Sequence, residues 1–143
     1  MLPYMHAIIS IIAAFILYLL KKDILFALLF LIVAIFIDFD HYLLYVFRKR
    51  SLNPLKAYSY FRNDADRDFL REGKNRVLFA FHSIEVFLIL IILSIFINLF
   101  IPIVIGYAFH AIFDIIDERP REIKKSWSIL LYYRKHIFQA KKA

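Results

Sequence analysis

The sequence predicts an all-α, polytopic membrane protein in which four transmembrane helices form a bundle and a basic C-terminal helix follows. Two observations predict this fold class. Hydrophobic residues make up 62% of the 143 residues, whereas a typical soluble domain is about 45–50% apolar. They also fall in long runs that alternate with charged segments, as is typical of membrane proteins. The chain is too short for a second large domain, so we interpret residues 1–143 as a single integral membrane domain.

Four apolar runs are the predicted spans, since a helix needs roughly 20 apolar residues to cross the hydrocarbon core. The first run lacks a basic n-region and a small-residue cleavage site, so we interpret it as a retained span and not as a signal peptide. A polar turn, Lys21–Asp23, follows it, and Pro102 suits the first turn of the last span. The runs cover about residues 4–20, 24–47, 77–101 and 102–117, with a polar loop at 48–76 and a basic tail at 118–143.

The basic residues predict the orientation of the chain. There are 19 Lys+Arg against 12 Asp+Glu, a formal charge of +7, and apart from Lys21 and Lys22 every basic residue lies in the loop or the tail. Because cytoplasmic segments carry such an excess, we expect a multi-pass protein of the cell (inner or plasma) membrane with both termini cytoplasmic. Nucleic acid is not an expected partner, because no recognition motif is present. The tail segment Ser126–Phe138 is either an amphipathic helix on the membrane surface or an ordinary solvated helix.

Ionisable residues interrupt the apolar spans at a similar depth. At about 1.5 Å per residue, His6 and Asp38 each lie about 22–24 Å along a helix from the turn that contains Lys21. The set includes four of the five histidines. Its members are His6 in the first span, Asp38, Asp40 and His41 in the second, His82 and Glu85 in the third, and His110 and Asp114 in the fourth.

The spacing of these residues places a histidine and a carboxylate on one face of each of three helices. The pairs are Asp38 with His41 (i, i+3), His82 with Glu85 (i, i+3) and His110 with Asp114 (i, i+4). Helical bundles build metal sites, including dinuclear ones, from such pairs on facing helices. In a regular helix Asp40 points to another face, so Asp40 is either a further ligand or the general base. Glu85 has the same two alternatives.

A bound divalent cation would explain why these groups lie in apolar helices. An ionised side chain inside a bilayer costs on the order of 2.5–3.5 kcal/mol even on lenient scales. The chain has no cysteine, and nitrogen and oxygen donors without thiolate favour zinc, with manganese and iron as alternatives. We predict one or two such ions; a proton relay or a structural network is the alternative. The predicted metal ligands are His6, Asp38, His41, His82, Glu85, His110 and Asp114.

The same residues fall in four recognisable stretches: His6, then IDFDH (Ile37–His41), then FHS (Phe81–Ser83), then GYAFHAIFD (Gly106–Asp114). In order, spacing and placement they resemble the motifs of the membrane-bound, metal-dependent hydrolases of the YdjM type. Those motifs are an early histidine, P-D-x-D-H, H-R-G-x-T-H-S and G-Y-x-x-H-x-x-x-D. The third departs from the family pattern, because Val77 replaces its first histidine and Glu85 follows His82. The chain is thus similar to a divergent member, and the resemblance implies a metal-dependent hydrolase in the membrane.

The predicted reaction is hydrolysis of a lipid or lipid-linked ester or phosphoester at the cytoplasmic interface. A metal ion polarises phosphoryl or acyl oxygens and lowers the pKa of water, and the depth of the site suits a lipid headgroup. Arg76 and Arg119, near the cytoplasmic ends of the third and fourth spans, either hold a substrate phosphate or are solvated flanking residues. A membrane lipid is therefore the expected partner.

Two other functions remain open on sequence grounds. Histidine and carboxylate pairs in a four-helix bundle are also typical of di-iron oxidoreductases. A metal or proton transporter is the other alternative, and four short spans would then favour a homo-oligomer.

Overall fold

The computed structural model describes residues 3–63, 65–72, 76–116 and 124–133. Helices account for most of these residues, which confirms the predicted helical fold class. A small two-stranded sheet, which the sequence did not predict, is the exception. In chain order the helices are α1 (Pro3–Lys21), α2 (Ile24–Phe36), α3 (Phe39–Lys49), α4 (Pro54–Asn63), α5 (Ala65–Arg71), α6 (Ile84–Phe96) and α7 (Ile101–Ile116), and the strands are β1 (Arg76–Leu78) and β2 (Lys124–Ser126).

Two helical stretches, Ile24–Lys49 and Asn98–Ile116, are long and apolar enough to cross a membrane. The helices at His6–Lys21 and Ile84–Phe96 are equally apolar but shorter. Large hydrophobic side chains cover the outside of all four, and no residue of α6, which is described over its whole length, is buried. A helix that is apolar all round needs an apolar environment, which is either a protein core or lipid.

Contacts between Cα atoms divide the chain into two compact units. Unit 1 comprises residues 1–37 and 87–119, and unit 2 comprises residues 38–86 and 120–143. Helices α1, α2 and α7 belong to unit 1, whereas α3, α4, α5 and both strands belong to unit 2. The single membrane domain expected from the sequence stays a prediction.

Close packing of α2 against α7 organises unit 1. Helix α2 contacts both α1 and α7, and its buried residues, Ala27, Phe30 and Ala34, form a stripe of mostly small side chains. A Cβ atom on Gly106 of α7 would lie 2.6 Å from the backbone carbonyl oxygen of Phe30. Gly106 therefore lets the two helix backbones approach more closely than any other residue would allow.

The turn between α1 and α2 forms where the sequence predicts it. Lys22 takes a left-handed conformation (φ 55°), which ends α1 in the way that many helices end. The side chain of Asp23 accepts a hydrogen bond from the backbone N–H of Phe26 at 3.0 Å and so caps α2. A single polar tripeptide thus reverses the chain.

Unit 2 contains structure that the sequence analysis assigned to a polar loop at 48–76. Helix α4 begins where the side-chain oxygen of Asn53 accepts hydrogen bonds from the backbone N–H groups of Leu55 and Lys56. Pro54 occupies its first position, as is common in helices. Helices α3, α4 and α5 then bury a shared apolar cluster against residues 77–79, which consists of Tyr45, Ala57, Tyr60, Ala65, Phe69, Val77 and Phe79.

Two ion pairs join the end of α3 to the region around α5. Arg48 pairs with Glu72, and Lys49 pairs with Asp68. The hydrogen bond from Lys49 holds the pKa of Asp68 below its ordinary value. These pairs are at least partly exposed, so each contributes little stability by itself.

Residues 77–83 are not α-helical, although the third predicted span begins at about residue 77. Strand β1 pairs in parallel with β2, so that Val77 lies opposite Lys125. A 3-10 turn, Ala80–His82, follows, and α6 begins only at Ile84. The backbone N–H of Ile84 donates to the carbonyl oxygen of Trp127 at 2.8 Å. Backbone groups of residues 76–84 therefore pair with residues 124–127 instead of forming the first turns of a longer helix.

Candidate metal centre

The IDFDH motif and the FHS motif meet inside unit 2. The chain makes a turn at residues 37–38, and α3 begins immediately after Asp38. Asp38 and His41 still meet at the predicted i, i+3 spacing, with Nδ1 of His41 3.6 Å from a carboxylate oxygen of Asp38. His82 ends the 3-10 turn that approaches them and is 3% exposed. Four side chains from two parts of the sequence are thereby brought together.

Asp40 lies at the centre of this unit 2 cluster. One carboxylate oxygen is 2.8 Å from Nδ1 of His41, and the other is 3.1 Å from Nδ1 of His82. The second oxygen also accepts a hydrogen bond from the backbone N–H of Phe81 at 3.1 Å. An ionised carboxylate only accepts hydrogen bonds, so Nδ1 of each imidazole carries a proton and Nε2 carries the lone pair. A carboxylate that fixes a ligating histidine in this way is the common second shell of metal sites.

Asp38 completes a group that could hold a metal ion. The ligand atoms of Asp38, His41 and His82 all lie within 4.8 Å of one another. Nε2 of His82 and Nδ1 of His41 are 3.5 and 3.6 Å from the same oxygen of Asp38. Two ligands that are each about 2.1 Å from one zinc ion are at most about 4.2 Å apart. The 3.5 Å separation of Asp38 and Nε2 of His82 lies within this limit. His41 faces Asp38 with Nδ1, the atom that contacts Asp40, so its ring must move to present Nε2 to the same cation.

Aromatic rings enclose His41 on one side of the cluster. Its imidazole stacks on Phe79 with ring centroids 3.8 Å apart and an interplanar angle of 11°. Phe61 meets it edge-on at 5.3 Å. These rings fix the plane of the imidazole and limit access of water, and both effects strengthen electrostatic interactions within the cluster.

Unit 1 gathers a second group, which consists of His6, His110 and Asp114. The two carboxylate oxygens of Asp114 lie 3.7 Å from Nε2 of His6 and 3.8 Å from Nε2 of His110. The two imidazoles stack with centroids 5.0 Å apart. The separations are too long for hydrogen bonds, but they fall within the range that two ligands of one cation can span. Asp114 thus faces the imidazoles of both His6 and His110.

The orientation of His110 follows from the packing of α2 against α7. Its Nδ1 is 2.8 Å from the carbonyl oxygen of Ala34. A carbonyl oxygen only accepts, so Nδ1 carries the proton and Nε2, the atom that faces Asp114, carries the lone pair. His110 follows Gly106 by four residues on α7, and Ala34 follows Phe30 by four residues on α2. The contact of His110 with Ala34 therefore lies one helical turn beyond the contact of Gly106 with Phe30. The close contact at Gly106 therefore sets the position of His110.

Glu85 has a different environment from the other predicted ligands. Its carboxylate accepts hydrogen bonds from the Ser128 hydroxyl at 2.6 Å and from the backbone N–H groups of Ile129 and Leu130 at 3.0 and 3.2 Å. Residues 129–133 are helical, so Glu85 acts as their N-terminal cap. The expected pairing with His82 at i, i+3 requires one continuous helix, and α6 begins after His82. In the described part of the chain, the role of Glu85 is to anchor the C-terminal segment.

The two arginines proposed to hold phosphate cannot be placed in this centre. Arg119 and the side chain of Arg76 lie outside the described residues, although the backbone of Arg76 belongs to β1. The structure also shows contributors that the sequence analysis did not single out. They are the backbone N–H of Phe81, the carbonyl oxygen of Ala34 and the ring of Phe79. Backbone groups leave no residue-type signal, and the available signal for the ring is the aromatic content of the stretch VLFAFHS at residues 77–83.

The chemistry of these groups is consistent with a divalent cation. Both consist of imidazole nitrogen and carboxylate oxygen, and in each group an oxygen atom accepts the Nδ1 proton of at least one imidazole. Such donors suit zinc, manganese and iron without distinguishing among them. Comparison with protein-family models, with curated protein sequences and with solved structures finds no match to this chain.

Proposed function

We propose that this protein is a membrane-embedded, metal-dependent hydrolase that acts on a lipid or a lipid-linked ester or phosphoester at the cytoplasmic membrane interface. One observation carries the proposal: Asp38, His41 and His82 present three ligand atoms within 4.8 Å of one another. Asp40 supports two of these ligands from behind. The resemblance of the motifs to the YdjM-type hydrolases supports the same reaction class.

The membrane part of the proposal is a bundle of four spans with both termini in the cytoplasm. It is supported by the two long apolar helices and by the apolar surfaces of α1 and α6. Ile95 and Phe96 of α6 are 72% and 80% exposed, and a soluble protein would be expected to bury such a helix. The positive charge of the segments outside the apolar helices supports the orientation.

The proposed cofactor is zinc, with manganese and iron as alternatives. Asp38, His41 and His82 would hold one ion in unit 2, and the trio His6, His110 and Asp114 would hold another in unit 1. A divalent cation at such a position polarises a phosphoryl or acyl oxygen and makes water more acidic. The part of Asp40 is to keep the protons on the Nδ1 atoms of the imidazoles and to hold both rings in place.

Metal content of the detergent-purified protein tests the proposal, measured by elemental mass spectrometry for wild type, His82→Ala and His110→Ala. We expect about one equivalent of metal to be lost in each variant, because each removes a ligand from one unit. Release of phosphate or fatty acid from phospholipid vesicles should fall by more than about 100-fold in both, since second-shell changes alone cost about 10–100-fold. Glu72→Gln is the matched control, because Glu72 pairs with Arg48 and is not one of the candidate ligands.

The possible outcomes separate the three candidate functions. Metal that remains in both alanine variants would contradict the proposal. Iron with an absorption spectrum that changes on exposure to oxygen would favour an oxidoreductase. Metal flux into liposomes without any hydrolysis would favour a transporter.

A further inference from the structure

A polar cavity of about 500 Å³ opens in unit 2 between α3, α4 and α5. Among the predicted site residues whose side chains the structure describes, none lines it. Its lining includes two tyrosines, three cationic side chains and one carboxylate: Tyr45, Lys49, Lys56, Tyr60, Asp68 and Arg71. A volume of this size suits a small ligand or the headgroup of a larger one.

The charge of the cavity favours an anion. Lys49 is paired with Asp68, so the charges that remain among the described lining residues are those of Lys56 and Arg71. Neither of these two side chains forms an ion pair with any residue in the described ranges. A concave surface with an excess of one charge concentrates ions of the opposite sign. Arg and Lys together are a frequent combination for phosphate, which Arg binds through two parallel N–H groups.

The cavity is connected to the metal cluster of unit 2 along α3. His41, Tyr45 and Lys49 are spaced at i, i+4 and i+8, so they follow one face of the helix. At about 1.5 Å per residue, the cavity residues lie about 6 and 12 Å along the axis from His41. A continuous series of ring contacts covers the same path, from His41 to Phe61, from Phe61 to Tyr60 and from Tyr60 to Tyr45.

We propose that this cavity is a phosphate-binding site in which Lys56 and Arg71 hold the phosphate of an anionic lipid headgroup or of a soluble phosphate ester. Lys49, on the cavity wall, is also the last residue of the apolar stretch Ile24–Lys49. Tyrosines and basic residues at the end of a membrane helix lie at headgroup level. The role of the cavity as an anchor for a substrate rests on the proposed hydrolase function. In that role, it selects substrates that carry a phosphate about two helical turns from the reacting bond. Binding by itself does not depend on that function.

Isothermal titration of the full-length protein in neutral detergent tests the proposal. The ligands are dioctanoyl phosphatidylglycerol, dioctanoyl phosphatidylcholine and inorganic phosphate. The variant is Lys56→Gln/Arg71→Gln, in which both changed side chains are exposed and the fold should persist. We expect the affinity for phosphatidylglycerol to fall by at least about tenfold, because two charge-assisted contacts are lost. The matched control, Lys21→Gln/Lys22→Gln, removes the same charge from unit 1 and should bind as wild type does.

The ligand series identifies the source of the phosphate. Competition by inorganic phosphate would identify a soluble phosphate ester, whereas binding of phosphatidylglycerol that phosphate does not displace would identify a lipid headgroup. Equal affinities of wild type and the Lys56/Arg71 variant, equal losses in both double variants, or equal affinities for the two lipids would overturn the proposal.

Titration after removal of metal with a chelator separates this proposal from the hydrolase function. Binding that persists without metal in a protein that never shows hydrolysis would leave the cavity assignment intact and overturn only the function. Normal metal content and hydrolysis, with no effect of the Lys56/Arg71 substitutions on lipid binding, would overturn the cavity assignment and leave the hydrolase function intact.

Discussion

Asp40 directs one carboxylate oxygen to each of two histidines, so a change at this residue affects both. The sequence analysis left two roles open for it, a further ligand or the general base. Its contacts with the Nδ1 atoms of His41 and His82 and with the N–H of Phe81 favour a third role, in which it positions the ligands. This arrangement brings together one residue that is adjacent along α3, His41, and two from the 3-10 turn, Phe81 and His82.

Asp40→Asn tests this positioning role. Asparagine keeps the size of the side chain but loses the charge that holds the two Nδ1 protons, so we expect zinc affinity to fall by about 10–100-fold. Competition with a chromophoric chelator measures that affinity. Asp23→Asn is the control, because Asp23 only caps α2. Loss of turnover at unchanged zinc affinity would instead identify Asp40 as the general base.

The elements differ in how well the sequence predicted their contribution to the site. Helix α7 is continuous from Ile101 to Ile116, so the i, i+4 spacing of His110 and Asp114 does bring the two side chains together. The spacing of His82 and Glu85 does not, because strand pairing delays the start of α6. Three-residue strands show no recognisable alternation, and parallel pairing with a segment far along the chain leaves no local signal.

Gly106→Ala tests whether the α2–α7 contact positions His110. The added methyl group would meet the backbone of Phe30 at 2.6 Å, so the helices must separate. We expect a loss of about 1–3 kcal/mol in unfolding free energy, together with weaker metal binding in unit 1. Thermal unfolding in detergent and metal content are the measurements. Ile112→Ala, at an exposed position of the same helix, is the control, and equal melting temperatures of Gly106→Ala and wild type would contradict the interpretation.

At the scale of the whole molecule, hydrophobic runs predicted most of the helical structure. Their ends lie close to the observed bounds of α1, α3 and α7. The polar stretch at 48–76 was expected to be a loop, although the Asn53–Pro54 pair is a recognisable start signal for α4. Contacts such as those of Glu85 with residues 128–130 join distant parts of the sequence, and no pattern in a single sequence specifies them.

The absence of cysteine from the chain allows the proposed topology to be mapped with single introduced cysteines. We expect Lys22→Cys and Asn98→Cys to react with a membrane-impermeant maleimide in intact cells, because both positions lie in the predicted outer turns. Ser51→Cys should react only after permeabilisation. The cysteine-free wild type controls for background. Labelling of Ser51→Cys in intact cells would contradict the four-span topology.

The parallel pairing of β1 with β2 has a consequence for biosynthesis. Residue 124 leaves the ribosome well after residue 76, with which it pairs, and Glu85 must wait for residues 128–130. The turn that carries His82 therefore cannot acquire its final hydrogen bonds until residues 124–130 have been synthesised. We expect the apolar helices to reach the membrane first, so that the unit 2 cluster forms only after residues 124–130 have been synthesised.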